Sequence, residues 1–342
     1  MTSPAQTFTS SRLGPYERGV EFGRAHAERV AATIAFYRSL LARCPRDDVR
    51  LADWGPRVIE IVGAAAPALL EELTGLADGA GVALPELAAV NARTELLALA
   101  DPHGTLECTA VVRREHGVNR GAQTWDWFGG MSENWLVWTV PHEHGWFTTV
   151  TEHGMLGKIG VNSHGLGVLL NILHHDTDGA AATGDDRVGF PVHLVARLAL
   201  QHAQSAERAL AIAAGAPTSA SSALTFFDAQ EVATAELFPA GPGRYAVESG
   251  PHVHTNHFLG EAAASGCRYA GEGSHRRLAS VAARAADPEL SLLEALVDHD
   301  PFGPVCLHGA TPEAEATLAT VDIELDPPRL RAWRGGPCAL AG

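Results

Sequence analysis

Between Tyr16 and Ala100 the apolar residues return every three or four positions, through YERGVEFGRAHAERVAATIAFYRSLLA, LADWGPRVIEIVGAAAPALLEELTGLADGAG and LPELAAVNARTELLALA. That spacing gathers them on one side of a helix. Ala and Leu dominate and Pro and Gly mark the breaks, so three or four helices are expected before Asp101. From Cys108 the period shortens. CTAVVRR, GAQTWDWF, NWLVWTV, GWFTTVTEH, GKIGVNS and LGVLLNIL are short runs of Val, Thr, Trp and Leu, divided by turn sequences such as HGVN and NSHG. Consecutive antiparallel strands have this form.

Two helices follow, PVHLVARLALQHA and SAERALAIAAG, then four strands, SALTFFDA, EVATAELFP, GRYAVES and HVHTN. A helix pair, SHRRLASVAARAA and LSLLEALVDH, precedes a closing strand pair, TLATVDIEL and RLRAWRG. Helices and strands come in blocks, which predicts an α+β fold with sheets held between helical layers. No internal repeat or linker-like tract interrupts the chain, so residues 1–342 read as a single domain.

Composition narrows the function classes. Apolar residues make up 46% of the 342, enough to fill a large core. The net charge is −15, with only 25 Lys and Arg and no basic cluster, so nucleic acid and anionic membranes would be repelled. The N-terminal stretch has no apolar core of signal-peptide type and no run reaches the length of a spanning helix, so a soluble, cytoplasmic protein is expected. Nothing in the sequence speaks against a homo-oligomer. The five cysteines, Cys44, Cys108, Cys267, Cys306 and Cys338, are odd in number and form no C-x-x-C pair, which argues against a disulfide framework or a thiolate zinc site.

Candidate chemistry rests on polar groups inside apolar runs. Asp126 lies between Trp125 and Trp127, and strand alternation turns its carboxylate away from both rings. On a buried face it needs a cation or several donors; on a solvated face it is an ordinary surface acid. Asn171 in LLNIL and Asn256 in HVHTNHF are amides at the ends of apolar strands, positions that suit caps as well as catalysts. Two histidine groups, His174 and His175 with Asp176, and His252 and His254 with His257, lack a third ligand at recognisable spacing, so no metal is expected. Phosphate-binding glycine loops and a G-x-S-x-G elbow are absent.

Taken together, GPYERGVEFGRAHAERV, CTA at Cys108, TWDW at Asp126, GKIGVNSHGLGV, HTNHF at Asn256, EGSHRRL at Arg277, VCLHG and RGGPC resemble, in order and over nearly the whole chain, the acyl-coenzyme A:6-aminopenicillanic acid acyltransferase family of N-terminal nucleophile hydrolases. The resemblance implies a four-layer αββα sandwich. It also implies a precursor that cuts itself between Glu107 and Cys108 into a helical α chain, 1–107, and a catalytic β chain, 108–342. Cys108 would supply thiol and α-amine, Asp126 would hold the amine, Asn256 would donate to the oxyanion and Arg277 would support the nucleophile. Asn171, Trp125 and Trp127 would line the pocket. Many members have Gly where this chain has Glu107. The implied reaction is hydrolysis or acyl transfer on a small N-acylated amine or amino-acid derivative through a thioester, with no cofactor, although a coenzyme A thioester can serve as acyl donor. The alternative is a catalytically silent or His-rich metal-binding protein of the same fold.

Overall fold

The computed structural model describes residues 3–46, 48–101, 108–179, 188–268 and 272–340. Its chain opens with a short strand, β1 (Thr7–Thr9), and the helices α1 (Pro15–Ala25), α2 (Ala27–Leu41), α3 (Leu51–Ala65), α4 (Pro67–Ala80), α5 (Leu84–Asn91) and α6 (Arg93–Ala100). Six helices stand where three or four were expected, because each long periodic run breaks once, at His26, Ala66 and Ala92, all of which leave helical dihedrals. Ala66 precedes Pro67, whose ring disfavours a helical residue before it. His26 and Ala92 carry no such mark.

The strands run β2 (Cys108–Glu115), β3 (Val118–Phe128), β4 (Trp135–His142), β5 (Gly145–Glu152), β6 (Ile159–Asn162) and β7 (Gly167–Ile172). After them come α7 (Val192–His202), α8 (Ala206–Ala214), β8 (Ser222–Phe227), β9 (Val232–Leu237), β10 (Gly243–Tyr245) and β11 (His252–His254). The chain closes with α9 (Glu261–Ala264), α10 (Gly273–Ala285), α11 (Leu292–Ala295), β12 (Glu315–Leu325) and β13 (Pro328–Arg334). Helix α11 is one turn rather than the ten residues expected.

Eight strands form one sheet in the order β1-β4-β5-β6-β7-β8-β9-β10, and five form the other, β11-β2-β3-β12-β13. Strands β2 and β3 pack on β7, and β13 on β5 and β6, so the sheets lie face to face. Helices α7 and α8 cover the outer face of the larger sheet, and α10 and α11 that of the smaller. This is a four-layer αββα sandwich. No helix among the described residues is long and apolar enough to cross a membrane.

The N-terminal helices add to the layer of α7. Arg18 of α1 and Arg197 of α7 both clasp the buried Glu72 of α4, at 2.6 and 2.7 Å. Helices α1 and α4 touch backbone to backbone through glycines: a Cβ on Gly75 would lie 2.0 Å from the Tyr16 carbonyl oxygen, and one on Gly19 2.1 Å from that of Glu72. Alanine gains about 1 kcal/mol over glycine in helix propensity. Overpacking a tight contact costs about 1–3 kcal/mol, and here the contact is with rigid backbone, so the clash wins. Gly75→Ala is therefore expected to lower the urea midpoint of unfolding, and an unchanged or raised midpoint would contradict the close approach.

Candidate active site

Cys108 is the first residue of β2 and pairs with Trp125 on β3. Cys108, Ala110 and Val112 join the main core, between the sheets, whereas Val111 packs in a second core with Val281 of α10. Alternation along one strand thus places the thiol between the sheets and directs Thr109 to the α10 side. Glu107 lies outside the described residues.

Three side chains grip the Cys108 backbone from other elements. Its N–H donates to Asn256 Oδ1 at 2.8 Å. Its carbonyl accepts from Arg277 Nη1 at 2.9 Å and Asn171 Nδ2 at 3.0 Å. Arg277 Nη1 also donates to Thr109 Oγ1 at 2.9 Å, and Nη2 to Asn256 Oδ1 at 3.1 Å. Two donors converge on that Asn256 atom, which identifies it as the oxygen of the amide. The Asn256 NH₂ group donates to the Ile172 carbonyl at 2.9 Å. It carries two hydrogens, so this bond leaves one for another acceptor.

Helix α10 explains the S-x-x-R motif. Three residues apart on a helix, Ser274 and Arg277 share a face. The Ser274 hydroxyl accepts from the Asn256 N–H at 2.8 Å, so one helical turn fixes the backbone of Asn256 and its side-chain oxygen. Arg277 is fully buried, while the adjacent Arg276 is exposed and pairs with Glu272. Of the two arginines, only Arg277 reaches the site.

Asp126 is buried on β3, on the face opposite its tryptophan neighbours, one position beyond the partner of Cys108. The solvated alternative for this carboxylate is removed. Its backbone carbonyl lies 3.9 Å from Cys108 Sγ. Burial first, and then the negative charge of Asp126, push the thiol up to about 12. In the continuous chain the thiol is therefore protonated at neutral pH.

A buried cluster that the sequence did not single out contains Lys158, whose charge acts to lower this thiol. Lys158, just before β6, is buried with its Nζ 3.4 Å from the centre of the Trp125 ring. Its Nζ lies 3.5 Å from Glu152 Oε1, an oxygen that also accepts from Arg93 at 2.9 and 3.1 Å. Tyr37 Oη donates to the other Glu152 oxygen at 2.5 Å. Arg93 thus already neutralises Glu152, and Lys158 has no need to stay charged. Burial, and next the charge of Arg93, lower Lys158 to about 7. The lone Lys in GKIG, inside an otherwise apolar run, was the available signal; its partners on α2, α6 and β5 were not visible from spacing.

Trp127 stacks against Arg93, whose guanidinium carbon is 4.0 Å from the ring centre. Both line a narrow pocket with Thr94, Ile172, His174 and Ala220. Of the proposed wall residues, Trp127 faces this pocket, Trp125 lies under Lys158, and Asn171 holds backbone instead. The central histidines are hydrogen-bonded to other groups rather than to one another: His252 to Thr234, His254 to Glu236 and the Thr255 carbonyl, and His257 to Ser274 and Thr255.

The family model for acyl-coenzyme A:6-aminopenicillanic acid acyl-transferase matches residues 113–337. The acyl-coenzyme A:6-aminopenicillanic-acid-acyltransferase 40 kDa form of Emericella nidulans is 30% identical over 254 residues, covering 72% of this chain and 67% of that protein. Among solved structures, penicillin V acylase from Agrobacterium tumefaciens aligns over 65% of this chain and 81% of its own, with 12% identity and a TM-score of 0.37. The family match covers about two thirds of the chain, from the end of β2 to beyond β13, and on that extent the chain belongs to the acyl-coenzyme A:6-aminopenicillanic acid acyltransferase family.

Proposed function

We propose that this chain is the precursor of an N-terminal cysteine amide hydrolase or acyltransferase, acting on a small N-acylated amine or amino-acid derivative. The observation that carries the reading is the grip on Cys108: its N–H and carbonyl are both fixed by buried side chains from three other elements, a restraint a packing cysteine does not require.

In maturation the Cys108 thiol attacks the Glu107 carbonyl carbon. The peptide C–N bond breaks, the carbonyl passes to sulfur as a thioester, and the Cys108 nitrogen leaves as an amine carrying the proton lost by the thiol. Water then opens the thioester. The new α-amine, with an ordinary value near ~8, is matched to a thiol for proton transfer. Asn256 Oδ1 already lies at hydrogen-bond distance from this nitrogen, and the charge of Asp126 acts on the thiol of the same residue.

In turnover the thiol attacks the acyl carbon of an amide or acyl thioester, the amine or thiol departs with a proton, and water or an acceptor amine resolves the acyl-enzyme. The remaining hydrogen of the Asn256 NH₂ is the oxyanion donor, and Arg277 holds Asn256 Oδ1 so that the amide cannot rotate. Such a donor contributes about 3 kcal/mol to the transition state. The Emericella relative is named for coenzyme A and 6-aminopenicillanic acid. We carry over only the class, acyl thioester or amide as donor and amine as acceptor.

Incubating the protein with a panel of N-acyl amines and acyl thioesters, followed by rapid acid quench and intact mass, is expected to show an acyl adduct on the fragment beginning at Cys108. Hydroxylamine should remove it, as it does thioesters. Failure of every donor to label Cys108 would favour the silent protein of the same fold.

A further inference from the structure

A second site lies away from Cys108, where three segments meet: residues 298–300 after α11, residues 306–308, and the turn at residues 336–338. His299 Nε2 and His308 Nε2 are 3.1 Å apart, and Cys338 Sγ lies 3.6 Å from His308 Nε2. The three ligand atoms all fall within 4.8 Å of one another. A tetrahedral zinc ion, with bonds of about 2.05 Å to nitrogen and 2.3 Å to sulfur, separates two nitrogens by about 3.3 Å and nitrogen from sulfur by about 3.6 Å. The two closest separations here are those of ligands sharing one ion. We propose that His299, His308 and Cys338 bind a thiophilic divalent cation, zinc being the best match to two imidazoles and a thiolate.

The framework around these side chains is built. The Asp298 carbonyl accepts from the Val305 and Cys306 N–H groups at 3.1 and 2.9 Å, which folds the loop so that 299 returns beside 308. Leu307 is tied to Thr317 at both ends, its N–H donating to Oγ1 at 2.9 Å and its carbonyl accepting at 3.0 Å. The Gly335 N–H donates to the Leu318 carbonyl at 3.0 Å and sets the entry to the last turn. Both histidines are exposed and Cys338 is half-buried, so the ion enters from solvent and water takes the fourth position. Cys306 lies behind, buried, with its thiol directed at the Leu296 carbonyl at 3.6 Å.

The cation would tie the 298–308 loop to the last turn, and the same loop meets the start of α10 through Arg276. Arg276 pairs with Asp300 at 3.8 Å and lies over the Phe302 ring at 5.4 Å, next to the residue that holds Cys108. The site acts as a clamp on the outer layer. It is independent of the chemistry proposed for Cys108.

The test uses untagged, reduced protein, cleaved or not. One equivalent of zinc should survive desalting and raise the thermal midpoint. Cobalt(II) should give a thiolate-to-metal charge-transfer band together with the strong visible bands of a tetrahedral ion. His308→Ala and Cys338→Ser should lose retained zinc, the midpoint rise and the band, whereas Cys44→Ser and Cys267→Ser should keep all three. No retained zinc in the wild type, a cobalt spectrum without the thiolate band, or equal retention in Cys338→Ser would overturn the proposal. The wild-type cobalt spectrum decides the matter even if a variant fails to fold.

Discussion

Cys108→Ala is expected to remain one unbroken chain, while the wild type separates under denaturing conditions into residues 1–107 and 108–342, the second beginning Cys-Thr-Ala-Val. The variant should also lose all turnover, since it lacks the only group proposed to carry the acyl chain. Alanine keeps the backbone of β2 and fits the volume left by the sulfur, so lost cleavage could not be blamed on a collapsed core. Asn256, Asn171 and Arg277 hold residue 108 through its backbone and would still find their partners. Cys306→Ala should cleave normally, because its thiol faces Leu296. An intact wild type would have two explanations. Glu107 lacks the freedom of the Gly that many relatives carry before the nucleophile, and Glu107→Gly would restore cleavage if that alone arrests the chain. If Glu107→Gly stayed whole as well, and no donor labelled Cys108, autoproteolysis would be excluded.

The block structure of the fold was legible because each layer has its own period: helical spacing to Ala100, alternation from Cys108, and helix pairs between strand groups. Breaks within the helical block were legible only where chemistry enforces them. Pro67 announces the end of α3, but the chain also leaves helical dihedrals at His26 and Ala92, and periodicity runs straight through both. Strand β1 is three residues long and exists through parallel pairing with β4, more than a hundred residues away.

In the site, alternation gave Asp126 its face but not its burial, which depends on what packs over that face in three dimensions. The roles of Asn256 and Arg277 came by resemblance; their joint hold on one oxygen is a matter of three-dimensional contact. The grouping of His299, His308 and Cys338 is likewise a matter of three-dimensional contact. They stand 9 and 30 residues apart, and only the return of the loop and the final turn bring them together.

Lys158→Met is expected to leave most of the protein uncut, with self-cleavage slowed by about 10²–10⁴-fold, the range for loss of a positioned base. Before cleavage the α-amine is still an amide nitrogen and cannot accept a proton, yet the thiol is pushed up to about 12 and must lose one. Lys158, lowered to about 7, is a buried amine whose charge bears on that thiol. We propose its neutral form as the base. Below pH 7 that form falls tenfold for each pH unit, so the rate of self-cleavage should drop in step with acidity and level off above pH 7. Methionine keeps the length and apolar stem over Trp125. Lys158→Arg separates the roles of charge and base, since a guanidinium stays protonated at every working pH. If Lys158 only attracts the thiolate, Arg should cleave well; as the base, it should be as slow as Met. A wild-type cleavage rate that stayed flat from pH 8 to pH 5.5, or a fast Lys158→Met precursor, would exclude Lys158 as the acceptor of the thiol proton.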